Sequence, residues 1–168
     1  ELATACRAPG AELLVDAYHA LGPVPFPVHD LGLADAWVTG GGYKYLQLGE
    51  GNCFLRLPPH ADELRPRFTG WYSEFAELAA EKRPGAVEYP IGGMRFAGAT
   101  YDPTSHYRAA RVFDFFAERG LTPDALRENY LRQTTILAEA LGVESPREDH
   151  VGFLAVEVPN AEEVSRRL

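Results

Sequence analysis

Residues 37–46 read Trp37-Val38-Thr39-Gly40-Gly41-Gly42-Tyr43-Lys44-Tyr45-Leu46, and this stretch decides the fold. Residues 36–39 (Ala-Trp-Val-Thr) form a short β-prone run that stops at three consecutive glycines. Glycine lets a backbone come close to a ligand or to another segment. Lys44 follows, flanked by Tyr43 and Tyr45, and it is one of two lysines against fourteen arginines. The other, Lys82, stands in a charged run before Pro84 and reads as solvated. Two readings of Lys44 are open on local sequence. A half-buried lysine loses part of its hydration and acts as a nucleophilic amine. A loop lysine instead lays its stem over the neighbouring rings.

Working outward, residues 12–16 (Glu-Leu-Leu-Val-Asp) form an apolar run ending in Asp16, which predicts a buried strand. A carboxylate at the end of such a strand is costly unless paired. In α/β sheets, ligands bind beyond the carboxyl ends of parallel strands. Asp16 and His19 together suit a cationic ring or a metal; the alternative for Asp16 is a cap or turn residue. Residues 52–57 predict a third strand, ended by Pro58-Pro59. Residues 1–8 predict the tail of a helix, stopped by Pro9-Gly10. Pro23, Pro25 and Pro27 forbid regular helix before a single helical turn at 29–33.

Residues 65–102 are rich in proline, glycine and aromatics and read as a long, structured connection. A helix is predicted over 104–119, with Ala109, Val112, Phe113 and Phe116 at helical spacing and Gly120 as its stop. Thr122-Pro123-Asp124 opens a second helix, which runs to Leu141 and stops at Gly142. Residues 151–158 predict a strand, and Pro159-Asn160 begins a last helix. The division expected is an α/β part over residues 1–102, connection included, and the connecting helix with the start of a smaller α+β domain over 103–168. Three strands make a small sheet. With no opening Met and helical residues at both ends, the chain reads as an interior piece of a longer one.

The net charge of −8 disfavours a nucleic-acid or anionic-membrane partner. No apolar run approaches the roughly 20 residues of a membrane-spanning helix. Cys6 and Cys53 show no CxxC spacing, so a reducing cytoplasm is expected. His29, His60, His106 and His150 have no zinc-site spacing. The fingerprints of P-loops, dinucleotide-binding turns and serine hydrolases do not occur.

Four places in the chain resemble the class V aminotransferase superfamily of pyridoxal-phosphate enzymes, and its kynureninase-like branch in particular. Leu14-Val15-Asp16-Ala17-Tyr18-His19 resembles the family's strand ending in Asp-x-x-His. The stretch 37–46 resembles its lysine segment, with Tyr43-Lys44-Tyr45-Leu46 as a kynureninase-type signature. Gly70-Trp71 resembles a Gly-Trp that follows the large domain's last strands, and Arg95-Phe96-Ala97-Gly98-Ala99-Thr100 resembles the stretch before the long connecting helix. The resemblance implies an α/β, aspartate-aminotransferase-like fold: part of the large-domain sheet plus the start of a small α+β C-terminal domain.

It also implies a pyridoxal 5'-phosphate cofactor, a small amino-acid substrate and a homodimer. Lys44 would attach the cofactor and move protons at the substrate. Asp16 would pair with the protonated ring nitrogen. His19 would lie beside the ring. Tyr43 would bond the phosphate and help relay a proton. Trp71 and Thr100 would reach the phosphate in the neighbouring subunit's site; the alternative for both is ordinary packing. No metal is implied.

The sequence departs from the pattern at Gln47-Leu48-Gly49-Glu50-Gly51-Asn52, where kynureninases usually carry an Asn and a Gly-Pro-Gly-like turn, and at Tyr101-Asp102-Pro103. Three functions follow as expectations: kynureninase-like hydrolytic cleavage of a Cβ–Cγ bond; another class V reaction, meaning transamination, desulfuration or lyase chemistry; and, from a different class, a non-catalytic α/β assembly domain. Desulfuration fits less well, because both cysteines precede the smaller domain.

Overall fold

The computed structural model describes residues 1–81, 83–144 and 152–168. Lys82, His150 and Val151 lie outside the described residues. A three-stranded sheet of order β1-β2-β3 holds the first part together. Strand β1 (Leu14–Asp16) runs parallel to β2 (Trp37–Gly41), pairing Leu14 with Trp37 and Asp16 with Thr39. Strand β3 (Cys53–Arg56) returns antiparallel, pairing Gly41 with Cys53 and Val38 with Arg56. The sheet is therefore mixed, with one parallel and one antiparallel pair. A loop of eleven residues, 42–52, is long enough to turn the chain straight back beside β2, so no helical crossover is needed.

The middle strand carries the core. Val38 is 2% exposed, and Ala17, Ala36 and Leu48 are buried around it. Strand β2 continues two residues further than its composition suggests, through Gly40 and Gly41. These glycines do not stop the strand; they admit neighbours. Side chains of Leu21 and Phe54 fill the space over Gly40, and those of Tyr18 and Cys53 the space over Gly41. Strand β1 corrects the expectation of a buried strand at 12–16. It is three residues long, and Leu14 is 61% exposed. Among the described residues only β2 flanks it, so its apolar side chains have one neighbour where a central strand has two.

Side chains lock the sheet's approaches. The Trp37 indole N–H donates to Glu12 at 2.8 Å, and His60 Nε2 meets the same carboxylate at 3.0 Å. The indole hydrogen bond, followed by the imidazole, holds the Glu12 carboxyl below the usual range. The Arg56 guanidinium donates to the Ala34 and Ala36 carbonyls, both within 3.2 Å, and pins the segment entering β2. Residues 29–33 form hydrogen-bonded turns rather than a helix.

Past β3, residues 65–102 hold 3-10 turns at Trp71–Glu77 and Gly93–Phe96 and, among the described residues, no strand. Helix α1 (Leu2–Arg7) precedes the sheet; α2 (Thr104–Glu118), α3 (Pro123–Leu141) and α4 (Ala161–Arg167) follow the connection. The signals that bound α2 and α3 act as read. Gly120 turns left-handed after α2 at φ +64°, Thr122 accepts from the Ala125 N–H, and Gly142 turns left-handed after α3. The apolar stripe of α2 is only partly used: Ala109 is buried, while Phe113 is half exposed. The strand expected at 151–158 is absent over its described residues, 152–158. A strand forms by pairing, and no partner lies beside it among the described residues.

Candidate active site

Strands β1 and β2 run parallel and end on the same side of the sheet. Asp16 is the last residue of β1, and Lys44 lies three residues past the end of β2. Both therefore stand at the carboxyl edge of the parallel pair, where open α/β sheets bind ligands. The turn after β1 brings Tyr18 across to the lysine loop. Its ring packs on that of Tyr43, with centroids 5.4 Å apart, and the Lys44 amine lies over the Tyr43 ring, 4.9 Å from its centroid. His19 meets Tyr45 edge-on at 6.4 Å. Asp16, His19, Tyr43 and Lys44 are thus drawn into one cluster through two pairs of rings.

Each side chain in it has a local reason for its place. One Asp16 oxygen accepts from the Tyr18 N–H at 3.0 Å. This is the turn-residue role, and it also tightens the chain so that Tyr18 reaches Tyr43. Asp16 has no cationic partner among the described residues. Lys44 is half-buried, with its amine over an aromatic face and no carboxylate partner among the described residues. The amine itself, rather than the stem alone, lies against an aromatic ring.

The loop itself is closely pinned. Gly42 donates to the Asn52 carbonyl at 2.8 Å, and Leu48 donates back to the Gly42 carbonyl at 2.8 Å. Leu48 is buried against Gly42, at a place where any larger residue at 42 would collide with it. Gln47 takes a left-handed conformation at φ +56°, which costs a non-glycine residue about 1 kcal/mol or more. Helix α2 holds the far side of the loop through Arg108 and Ser105, and α3 touches it through Tyr130, whose ring lies 5.5 Å from that of Tyr45.

Three residues of this neighbourhood escape a reading by sequence. Tyr18 stands between Asp16 and His19, yet nothing local marks it as a contact of Tyr43. Its hydroxyl is pushed up to about 12, first by hydrogen bonding with the Cys53 thiol and then by burial. Arg108 and Tyr130 lie on later helices, and only tertiary packing brings them to the loop. Burial, then the neighbouring Tyr45, raises the Tyr130 hydroxyl.

Trp71 and Thr100 stand apart from this cluster. Trp71 is 50% exposed and its ring meets those of its local neighbours Tyr72 and Phe75; Thr100 is exposed. The segments that carry them nevertheless meet at Gly98. Tyr72 donates to the Gly98 carbonyl at 3.3 Å, and Gly70 must be glycine because a Cβ there would strike that carbonyl. No cluster of three or more metal-ligating side chains occurs among the described residues.

No family model matches the chain. Among solved structures, the apo cysteine desulfurase of Thermococcus onnurineus NA1 superposes with a TM-score of 0.67 at 19% identity, over 98% of this chain and 42% of that one. An alanine–glyoxylate aminotransferase from Nostoc sp. gives a TM-score of 0.57 at 19% identity, over 99% and 44%. The chain has the class V aminotransferase-like fold. Within that class V fold, sequence likeness runs to kynureninases. That of Salinispora tropica is 39% identical over 151 residues, 87% of this chain and 34% of the relative. That of Xanthomonas campestris strain B100 is 35% identical over 94 residues, 54% and 21%. The chain thus spans about a third or less of the length of these relatives.

Proposed function

We propose that this chain is the lysine-bearing part of a pyridoxal-phosphate enzyme that acts on an amino acid, with kynureninase-like hydrolysis of a Cβ–Cγ bond as its reaction. One observation carries the reading: a half-buried amine and a carboxylate, neither with a charged partner among the described residues, share the carboxyl edge of one parallel strand pair. The donor set fits the cofactor. An amine takes an aldehyde, a free carboxylate takes a protonated pyridine nitrogen, and phenol and imidazole groups flank both. When bound, pyridoxal phosphate supplies an electron sink for charge that develops at the substrate's α-carbon.

The chain's own residues do the rest. Lys44 would hold the cofactor through Nζ, and its amine is the group that would carry protons to and from the substrate carbon. An Asp16 carboxylate oxygen keeps a ring nitrogen protonated by pairing with it. Tyr43 offers its hydroxyl to the phosphate and to a proton relay, and His19 flanks the ring. Trp71 and Thr100, both exposed, suit a role across a homodimer interface, where they would reach the partner's phosphate. The domain division at residues 102 and 103, and a cytoplasmic setting, belong to the same reading. No helix among the described residues is long and apolar enough to cross a membrane.

The kynureninase relatives favour hydrolysis over transamination or lyase chemistry. Desulfuration remains the weaker alternative, since Cys6 lies on α1 and Cys53 on β3. The test uses the complete protein. A visible absorbance band that disappears in Lys44→Ala, with anthranilate and alanine formed from kynurenine, is the expected result. A protein that stays colourless with added pyridoxal phosphate removes the cofactor reading and leaves the assembly-domain alternative. A keto acid as product replaces hydrolysis with transamination.

A further inference from the structure

Lys44 sits in a loop whose near side is fixed by the sheet and whose far side is not. Gly42 continues from β2 and is held by Asn52 and Leu48. Residues 48–51, by contrast, turn three carbonyls away from the sheet, toward the start of α2. Arg108 Nε donates to the Leu48 carbonyl at 2.7 Å, and Arg108 Nη2 donates to the Glu50 carbonyl at 3.0 Å. The Ser105 hydroxyl donates to the Gly51 carbonyl at 3.2 Å, and the Asn52 side chain donates back to the Ser105 carbonyl at 3.1 Å. The guanidinium lies flat against Gly49, where a Cβ would fall 2.6 Å from it, and Gly49 has φ +74°. The loop is therefore shaped to receive this arginine. Just before this clasp stands Gln47 in its left-handed conformation, three residues from Lys44 and hydrogen-bonded to the Lys44 carbonyl at 3.1 Å.

We propose that Arg108 is a positioning residue for Lys44: by bridging the Leu48 and Glu50 carbonyls it ties the lysine loop to helix α2, so that the placement of the amine depends on the placement of that helix. The planar guanidinium makes this possible. It presents donors in a fixed fork, whereas a lysine ammonium is a single point of charge and cannot hold two carbonyls in a set geometry. Helix α2 leads from the connection toward α3, and Tyr130 of α3 touches Tyr45 beside the lysine. A shift of α2 would release the carbonyls at 48 and 50 and let the strained residue 47 relax, and the lysine would move with it. Neither Arg108 nor Ser105 belongs to the motifs that mark the family resemblance. The inference rests on the proposed role of Lys44, but the clasp can be tested without it.

The experiment compares the unaltered complete protein with Arg108→Ala, Arg108→Lys and Arg111→Ala. Arg111 lies on the same helix and pairs only with Asp114 and Glu118 among the described residues. In the cofactor-free protein, amide hydrogen exchange of Gln47 and Leu48 and acetylation of Lys44 by acetic anhydride read the loop directly. Capture of pyridoxal phosphate at Lys44, fixed by borohydride and located by mass spectrometry, reads its positioning. Arg108→Ala is expected to exchange at least about tenfold faster at residues 47 and 48, to change the Lys44 acetylation rate, and to lower kcat about tenfold with KM within about threefold. Arg108→Lys should recover part of each effect and Arg111→Ala should match the unaltered protein. If Arg108→Ala does not fold, Arg108→Lys, which keeps the stem and the charge, carries the same readouts. Unchanged exchange and unchanged acetylation in the Arg108 variants overturn the positioning role alone. Failure of the unaltered protein to capture pyridoxal phosphate at Lys44 overturns the proposed function alone.

Discussion

Residues 42–52 and residues 65–102 are both irregular and both rich in glycine and aromatics, yet they are held in different ways. The first is fixed from three sides: Tyr18 of the turn after β1 packs on Tyr43, Leu48 holds it from within, and Arg108 and Ser105 hold it from α2. The second is held partly by itself and partly by its flanks, with Tyr101 stacked on His106 of α2 at 4.9 Å. Arg95 donates to the carbonyls of Pro90, Asp62 and Leu64, and Trp71, Tyr72 and Phe75 pack on one another. Among the described residues, its ring contact with the sheet is Phe96 on Trp37, at 5.6 Å. Phe68 is 96% exposed and Ile91 83% exposed. Contacts within this chain define a site at the lysine loop; in the connection they define a surface whose apolar side chains face outward.

That contrast can be broken or sharpened by substitution in the complete protein. Lys44→Ala should have the largest effect: loss of the visible band and a fall in turnover on the order of a thousandfold or more, since the covalent and proton-carrying group is gone. Retained colour would move the cofactor elsewhere. Asp16→Asn removes the carboxylate from a charge-assisted hydrogen bond that contributes about 1.5–3 kcal/mol. Turnover should therefore fall by roughly ten- to a hundredfold with the fold intact by circular dichroism. An Asn variant as active as the parent separates Asp16 from the ring nitrogen.

A paired glycine test addresses the packing difference itself. Gly41→Ala drives a methyl into the Tyr18 ring, and overpacking of this kind costs about 1–3 kcal/mol. Gly98→Ala meets nothing within 4 Å and should change stability by less than about 0.5 kcal/mol. Equal shifts in denaturant midpoint for the two would erase the distinction between the regions. The smallest effect concerns pH. The Tyr18 hydroxyl is raised to about 12 in the folded chain, against about 10 when unfolded. The unfolded state thus loses this proton first, so the contribution is whole below pH 10 and drains away as pH rises toward 12. Tyr18→Phe should flatten that alkaline loss in a stability-against-pH curve; an unaltered slope assigns it to other groups.

Much of the site was legible because its members sit near each other in sequence or at strand ends. Asp16 and His19 flank one turn, and Tyr43 and Lys44 follow a strand that glycines extend. Helix boundaries at 104, 122 and 142 were legible too, since capping is a local event of a few residues. Burial was not. Residues 12–16 look like a core strand by composition, but exposure depends on which strands stand beside them. The same holds for 152–158, where apolar residues without a pairing partner remain irregular.

The amino-acid order alone determined where the lysine stands along the chain and what ends α2 and α3, because these are set by backbone conformation within a few residues. Only the tertiary structure decided that β3 returns antiparallel, that Tyr18 meets Tyr43, and that an arginine sixty residues downstream grips the Leu48 carbonyl. Those contacts join segments far apart along the chain, and their geometry comes from how the elements pack, which no short window of sequence contains.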